Sequence, residues 1–417
     1  MAFVEESLTQ NNDALLDYII PGFQKMFITD SALLDRLKKT SKDVWGRKIL
    51  IKYKLHGNAK GGWAAERGPL PTAGARGWDE GSATLRYFYA PVDLSGQEME
   101  VPHGTKGAIV DLTADAFEDT AMLALHKVDV AMFGDGTGHL AQINGTTTTY
   151  SGGLTRITFD HGQAENFLER QSISFGADGT EWEIVSIDSD NSYLWIDGDC
   201  RPGTVGYTAD DTYIYNFGSY SANYDREITG VKMHAKDTMT PLADYQGFDR
   251  VAAGFEFTQG YWNDNSGSDR VLSALLMTQH FQKIKRRSGT MPNLVLTEEG
   301  VLNSFILLLD SMKQPIDPMP SETGTKAVYK FVFMGKPIEL ETYLHCDPGY
   351  MYTLNTDFLE IRQARPFTWD TAGGGKMTKS ENVDTQWGRM KWYFQLICTN
   401  NKAQGAIIDI KRNSVTP

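Results

Sequence analysis

Cysteine is nearly missing from this 417-residue chain. Cys200, Cys346 and Cys398 are odd in number and far apart, which argues against a disulfide framework and predicts reduced thiols made in a cytoplasm. No apolar run approaches the roughly 18 residues of a membrane span. The opening MAFVEESLTQNNDALL is acidic, with neither a basic flank nor an apolar core, so no signal peptide is expected. Positive charge is in deficit. Forty Lys and Arg face 53 Asp and Glu, a net charge of −13, which argues against gripping nucleic acid by phosphate neutralisation.

Catalytic signatures are missing too. Gly134, Gly136 and Gly138 are spaced G-x-G-x-G after a helical run, whereas a dinucleotide fingerprint needs G-x-G-x-x-G after a strand. Gly375-Lys376 is followed by Met377 in the place of the Ser or Thr that would hold magnesium. Asp188-Ser189-Asp190 opens like a calcium loop, but Tyr193 stands where glycine must turn the chain. The eight His are scattered, none at H-E-x-x-H spacing, and only His345-Cys346 sets two soft ligands side by side. No G-x-S-x-G elbow occurs. Carboxylates are so many that any pair can be nominated as acid and base, which is no argument for one. The sequence therefore predicts no catalytic residue, no cofactor and no metal.

What the chain has is pattern. Val110, Ala114, Phe117, Ala121, Leu125, Val128 and Met132 recur at steps of four and three, which predicts one long helix over Thr105–Phe133. Asp111, Asp115, Glu118 and Asp129 fall off its apolar stripe, and Gly134-Asp135-Gly136 ends it. At ~1.5 Å per residue such a helix spans roughly 40 Å, a spine for the elements around it. Ahead of it, residues 1–45 read as an arm. Leu15, Leu16, Ile19 and Ile20 make an apolar patch ended by Pro21, and Asp30 is placed to cap a short helix with Leu33, Leu34 and Leu37.

Ile49, Ile51, Tyr53 and Leu55 alternate with polar neighbours as a strand, and Leu85, Tyr87 and Tyr89 read as its return. The 28 residues His56–Ala83 between them hold seven Gly and both Trp63 and Trp78. A loop that long has a task of its own. Two Trp on a Gly-rich ribbon are costly to leave in water, so another surface is expected to cover them.

Beyond the helix the composition turns to strands and turns, in keeping with 40 Gly and 11% aromatics. Ile157–Phe159, Ser172–Phe175, Trp182–Ile187, Tyr193–Ile196 and Thr212–Tyr215 predict five short strands, the size of a small β-barrel. Val271, Leu272, Leu275, Leu276 and Ile284 then mark the buried side of a helix, and Leu294-Val295-Leu296 a buried strand. Phe331, Phe333, Ile338 and Leu340 flank a hairpin turn at Met334–Pro337, and 390–399 and 406–410 read as final strands returning to the spine.

This order of parts resembles the major capsid (coat) proteins of tailed double-stranded DNA bacteriophages, whose fold also builds herpesvirus capsid floors. The hairpin stretch GRKILIKYKLHGNAKGGWAAERGPLPTAG is similar to a coat subgroup with an E-x-G-x-L-P-T-A-G-like loop, carried by Glu66, Gly68, Leu70, Pro71, Thr72, Ala73 and Gly74. PNLVLTEEGVLNSFILLLD followed by FMGKPIELETYLHCDPGYMYTLNTDFLEI looks like the family's strand–helix and G-x-P-I hairpin. The resemblance covers nearly the whole chain outside 146–221. It implies an α+β fold in seven segments: an N-terminal arm (1–45), an extended loop hairpin with peripheral strands (46–101), and a peripheral domain with the spine helix (102–145). An inserted β-barrel-like domain (146–221), a peripheral return (222–262), an axial domain (263–365) and peripheral C-terminal strands (366–417) follow.

The same resemblance implies function. Copies of the chain would assemble as hexamers and pentamers into an icosahedral head shell around packaged double-stranded DNA, held without sequence specificity. Inter-subunit contacts would come from Trp63, Glu66, Arg67, Leu70 and Trp78 of the loop and Leu15 and Ile19 of the arm. Portal, scaffolding and decoration proteins are the implied further partners, with no membrane. The place is the virion shell after synthesis in a host bacterial cytoplasm. With only a short lead ahead of the arm, no proteolytic maturation and a separate scaffold are expected. The alternative is a multidomain α/β hydrolytic enzyme with 56–83 as an active-site lid.

Overall fold

The computed structural model describes residues 32–57, 60–64, 66, 68, 70–95, 112–145, 149–160, 162–176, 180–201, 210–219, 226–238, 240, 242, 244–311, 318–320, 327–333, 335–370, 377–379 and 384–413. Leu15, Ile19, Arg67 and the predicted helix start at 105–111 lie outside them.

The long helix runs Leu112–Phe133 and ends at Gly134, whose N–H still reaches back to Val130 (3.2 Å). Ala121, Ala124, Val128, Met132 and Phe133 are buried on it. Asp129 is a correction to the sequence reading. It is buried too, because the Tyr343 hydroxyl donates to its carboxylate (2.5 Å) and replaces the water a surface Asp would use. Over this helix lies a sheet in which the ten residues Arg86–Ser95 pair antiparallel with Thr385–Phe394. Leu359–Trp369 pairs with the same long strand farther along, and Lys38–Thr40 adds parallel to Leu359–Trp369. Ala90, Val92, Leu94, Ile361, Trp392, Phe394 and Leu396 close the core against the helix, with Leu33 and Leu34 of the short helix Ala32–Arg36 and Leu37 just after it.

Strands between 139 and 216 form a sheet of seven with a core of its own, built on Leu140, Ile157, Phe175, Ile184, Leu194, Ile196 and Ile214. The five stretches read as strands from alternation are Leu154–Thr158, Ser172–Phe175, Trp182–Asp188, Tyr193–Asp197 and Tyr213–Asn216. His139–Gln142 and Thr149–Ser151 add two more. A bridge from Ile143 to Phe159 brings the first strand back to Leu154–Thr158, so the sheet curls toward a barrel.

A second seven-stranded sheet centres on Leu294–Thr297, a continuous apolar run buried along its length, between Lys336–Thr342 (parallel) and Met351–Leu354 (antiparallel). Helices Ala274–Ser288 and Glu299–Ser311 contribute to its core. Ser273 caps the first by accepting the Leu276 N–H (3.2 Å), and Gly289 at φ 75° closes it. The cap moves the helix start past Val271. Val271 and Leu275, expected inside, are 74% and 65% exposed, and the buried face is Met277, His280, Phe281 and Ile284. In the stretch 406–410, read as a final strand returning to the spine, the strand is Gly405–Ile407; it joins this sheet between Tyr261–Asn263 and Met351–Leu354, and Ala406 and Ile408 pack in the core that holds the spine helix.

Candidate assembly surface

Three strands carry the extended loop: Val44–Trp45, Lys48–His56 and Gly77–Thr84. The return strand is not Leu85–Tyr89, as alternation predicted, but Gly77–Thr84; Arg86 starts the strand over the spine helix. The sequence GWDEGSAT hides its strand because small residues are required there. A Cβ on Gly81 would sit 2.6 Å from the Phe248 ring and 2.7 Å from the Gln246 carbonyl. The loop proper is therefore 57–76.

Alternation divides the hairpin. Ile49, Ile51, Tyr53 and Ala83 pack on Phe248 and Ile397, while Lys52 and Lys54 face water. The Tyr53 hydroxyl donates to the Cys398 carbonyl (2.9 Å), the Ser82 N–H to Gln246 (2.9 Å), and Arg362 to the Leu50 carbonyl (2.8 Å). The base is thus fastened to the body by apolar contact and by hydrogen bonds from three sides.

Past Leu55 the cover ends. Trp63 is 106% exposed, Leu70 82% and Trp78 61%. Glu66 is exposed beside them, and Trp78 stands opposite Lys54 in the ladder. Trp45, 70% exposed on the neighbouring strand opposite Lys48, is a separate exposed aromatic that was not singled out from sequence. The loop residues share one ribbon, and among the described residues none covers Trp63 or Leu70.

The enzymatic alternative needs a lid over a site. A polar cleft of about 660 Å³ is lined by Asp135, His139, Lys232, Lys236, Asp347 and Tyr350 among others, and none of the described residues of 57–76 lines it. Its charges are matched internally. Burial disfavours the Asp135 charge, but hydrogen bonds from His139 and Thr137 and the nearby Lys232 hold its carboxyl well below the usual range. Burial likewise opposes the Lys232 charge, and Asp347 at 3.1 Å outweighs it. Among the described residues no three His, Cys, Asp or Glu stand as a metal site.

The overall fold is similar to that of the cyanophage A-1(L) capsid asymmetric unit. The TM-score is 0.53 at 14% identity, covering 90% of each chain. The fold is that of tailed-phage capsid proteins. The native GTA particle capsid (8% identity, 91% of this chain and 90% of that one, TM-score 0.48) and Mycobacterium phage Bobi (11%, 91% and 90%, 0.46) are more distant likenesses. No protein-family model matches the sequence. No curated protein matches it either. In this fold the base of the hairpin packs in its own cluster with Phe248 and Ile397, separate from the core over the spine helix.

Proposed function

We propose that the chain is the major capsid protein of a tailed phage, assembling as hexamers and pentamers into an icosahedral head that encloses double-stranded DNA. The observation that carries this reading is the exposure of Trp63, Leu70 and Trp78 on a ribbon whose base is firmly packed. A folded monomer gains nothing from two uncovered Trp, whereas a neighbouring copy that covers them removes a large apolar area from water. Hexamers and pentamers need a heterologous contact, in which the ribbon of one copy meets a different surface of the next and the rotation closes into a ring. Shell assembly favours individually weak contacts, on the order of −4 kcal/mol, which let misplaced subunits leave. Several such contacts per subunit stabilise the closed shell.

The net charge of −13 supports a wall that encloses DNA without adhering to it. The arm residues Leu15 and Ile19, with Arg67 of the loop, belong to the same proposed contact set. Portal, scaffolding and decoration proteins are its proposed partners, and the virion shell its place. Sedimentation and negative-stain imaging of the purified chain test the reading. Capsomers or shells are expected; a small closed oligomer with hydrolytic activity would favour the enzyme instead.

A further inference from the structure

We propose that His126 and His345 form an acid-sensitive latch that fastens the sheet of 139–216 to the spine helix and to the loop after Thr342. The inference does not depend on the assembly reading. Three elements meet at this point. His126 comes from the spine helix and His345 from the loop, and their rings meet edge to face with centroids 4.9 Å apart. Asn166 comes from the short turn Ala164–Asn166 of the sheet. Its backbone oxygen lies 3.4 Å from His126 Nε2, and its side-chain oxygen 3.1 Å from His345 Nδ1. Its amide nitrogen donates to the Leu140 carbonyl (2.8 Å), so the sheet itself holds the asparagine in place.

Both Asn166 atoms are acceptors, so each ring must donate. A neutral imidazole has one N–H to give. His126 spends its own at Nε2 and His345 at Nδ1, and a second proton on either ring must enter a largely buried junction beside another imidazole. The groups around the pair do not compensate. Lys127 adjoins His126 on the helix and opposes its protonation. Tyr343 packs edge-on against His345 at 5.7 Å. Asp129 accepts from Tyr343, Asp347 from Lys232 and Tyr352, and Glu165 of the turn is exposed. Among the described residues no carboxylate favours a charge on either ring.

Burial, then the neighbouring His126, pushes His345 down to about 3, and burial lowers His126. A base whose proton affinity falls on folding contributes stability that is present above its ordinary value, near 6.5, and is lost as pH drops toward the folded value. At pH 5, with the opened ring titrating near 6.5, His345 alone raises the opening equilibrium about 30-fold over neutral pH. Acid then releases the sheet from the spine without entering the sheet's own apolar core.

Hydrogen exchange of the full chain, read by mass spectrometry at pH 7.5 and 5.0 and corrected for intrinsic rates, tests this. Amides of 162–170 and 343–349 should open about 30-fold more at pH 5.0, while 294–297 should not respond. His345→Gln keeps an N–H for Asn166 and cannot be protonated, so its response should fall to a few-fold. An unchanged response in H345Q, or none in the parent chain, overturns the proposal. Where the variant folds poorly, exchange at the imidazole C2 position in the parent chain decides. His345 titrating well below 5 supports the latch, and titration near 6.5 refutes it.

Discussion

Removing one oxygen should loosen the tie between the spine helix and the sheet behind it. Tyr343→Phe deletes the hydroxyl that donates to buried Asp129 at 2.5 Å and leaves the ring stacked on Phe133, whose centroid is 4.9 Å away. Packing is kept, so the change isolates the hydrogen bond. A bond to a carboxylate contributes about 1.5–3 kcal/mol, and this carboxylate, with only 4% exposure, has little water to replace it. That is roughly a 10- to 150-fold shift in the unfolding equilibrium. Denaturant titration at pH 7.5 reads it directly, and a cycle with Asp129→Ala isolates the pair. The double variant should be less destabilised than the sum of the singles by about 1.5 kcal/mol or more. Strict additivity, or a loss under about 0.5 kcal/mol for Y343F, would refute the reasoning.

Trp63→Ala should leave subunit stability within about 0.5 kcal/mol, because that ring touches solvent on every side, yet raise the protein concentration needed for assembly about 30-fold or more. Light scattering checks it, and an unmoved threshold contradicts it. Gly230→Ala should cost about 3 kcal/mol, because backbone rather than a flexible side chain must give way. Its Cβ would lie 2.4–2.6 Å from the carbonyl oxygens of Gly134, Ala131 and Met132 at the end of the spine helix, and a soluble variant melting like the parent would count against that packing. All three cysteines are buried, and burial pushes the Cys200 thiol up to about 11 and Cys398 to about 12. At pH 8 a disulfide reagent should therefore react over ~100-fold more slowly with the folded chain than with the denatured one.

Much of the architecture could be read from residues alone, where one physical signal dominates. Strands at 172–175, 182–188 and 193–197 alternate apolar and polar positions and stop at Asp, Asn and Gly turns, so period and punctuation agree. Legibility fails where tertiary contact overrides period. GWDEGSAT pairs as a strand because Gly81 and Ala83 leave room for Phe248, a constraint held by a residue far along the chain. Asp129 looks like a solvent position until Tyr343 arrives. Arg250 carries no sequence signal at all. It is fully buried, stacked 3.5 Å from the Tyr245 ring, with Nη1 donating to the carbonyls of Met233, Lys236 and Thr238. The exposure of Trp63, Leu70 and Trp78 was legible, since a Gly-rich ribbon offers its apolar side chains no core to enter. The separate position of Trp45 was not, because two strand residues give no periodicity.

Hydroxyl-radical footprinting of the dissociated and the assembled protein tests most directly whether copies of this chain complete its ribbon. Trp63 and Trp78 should be oxidised rapidly in the separated subunit and protected at least tenfold once particles form. Equal labelling in both states, or particles that never form at high concentration, would contradict the account.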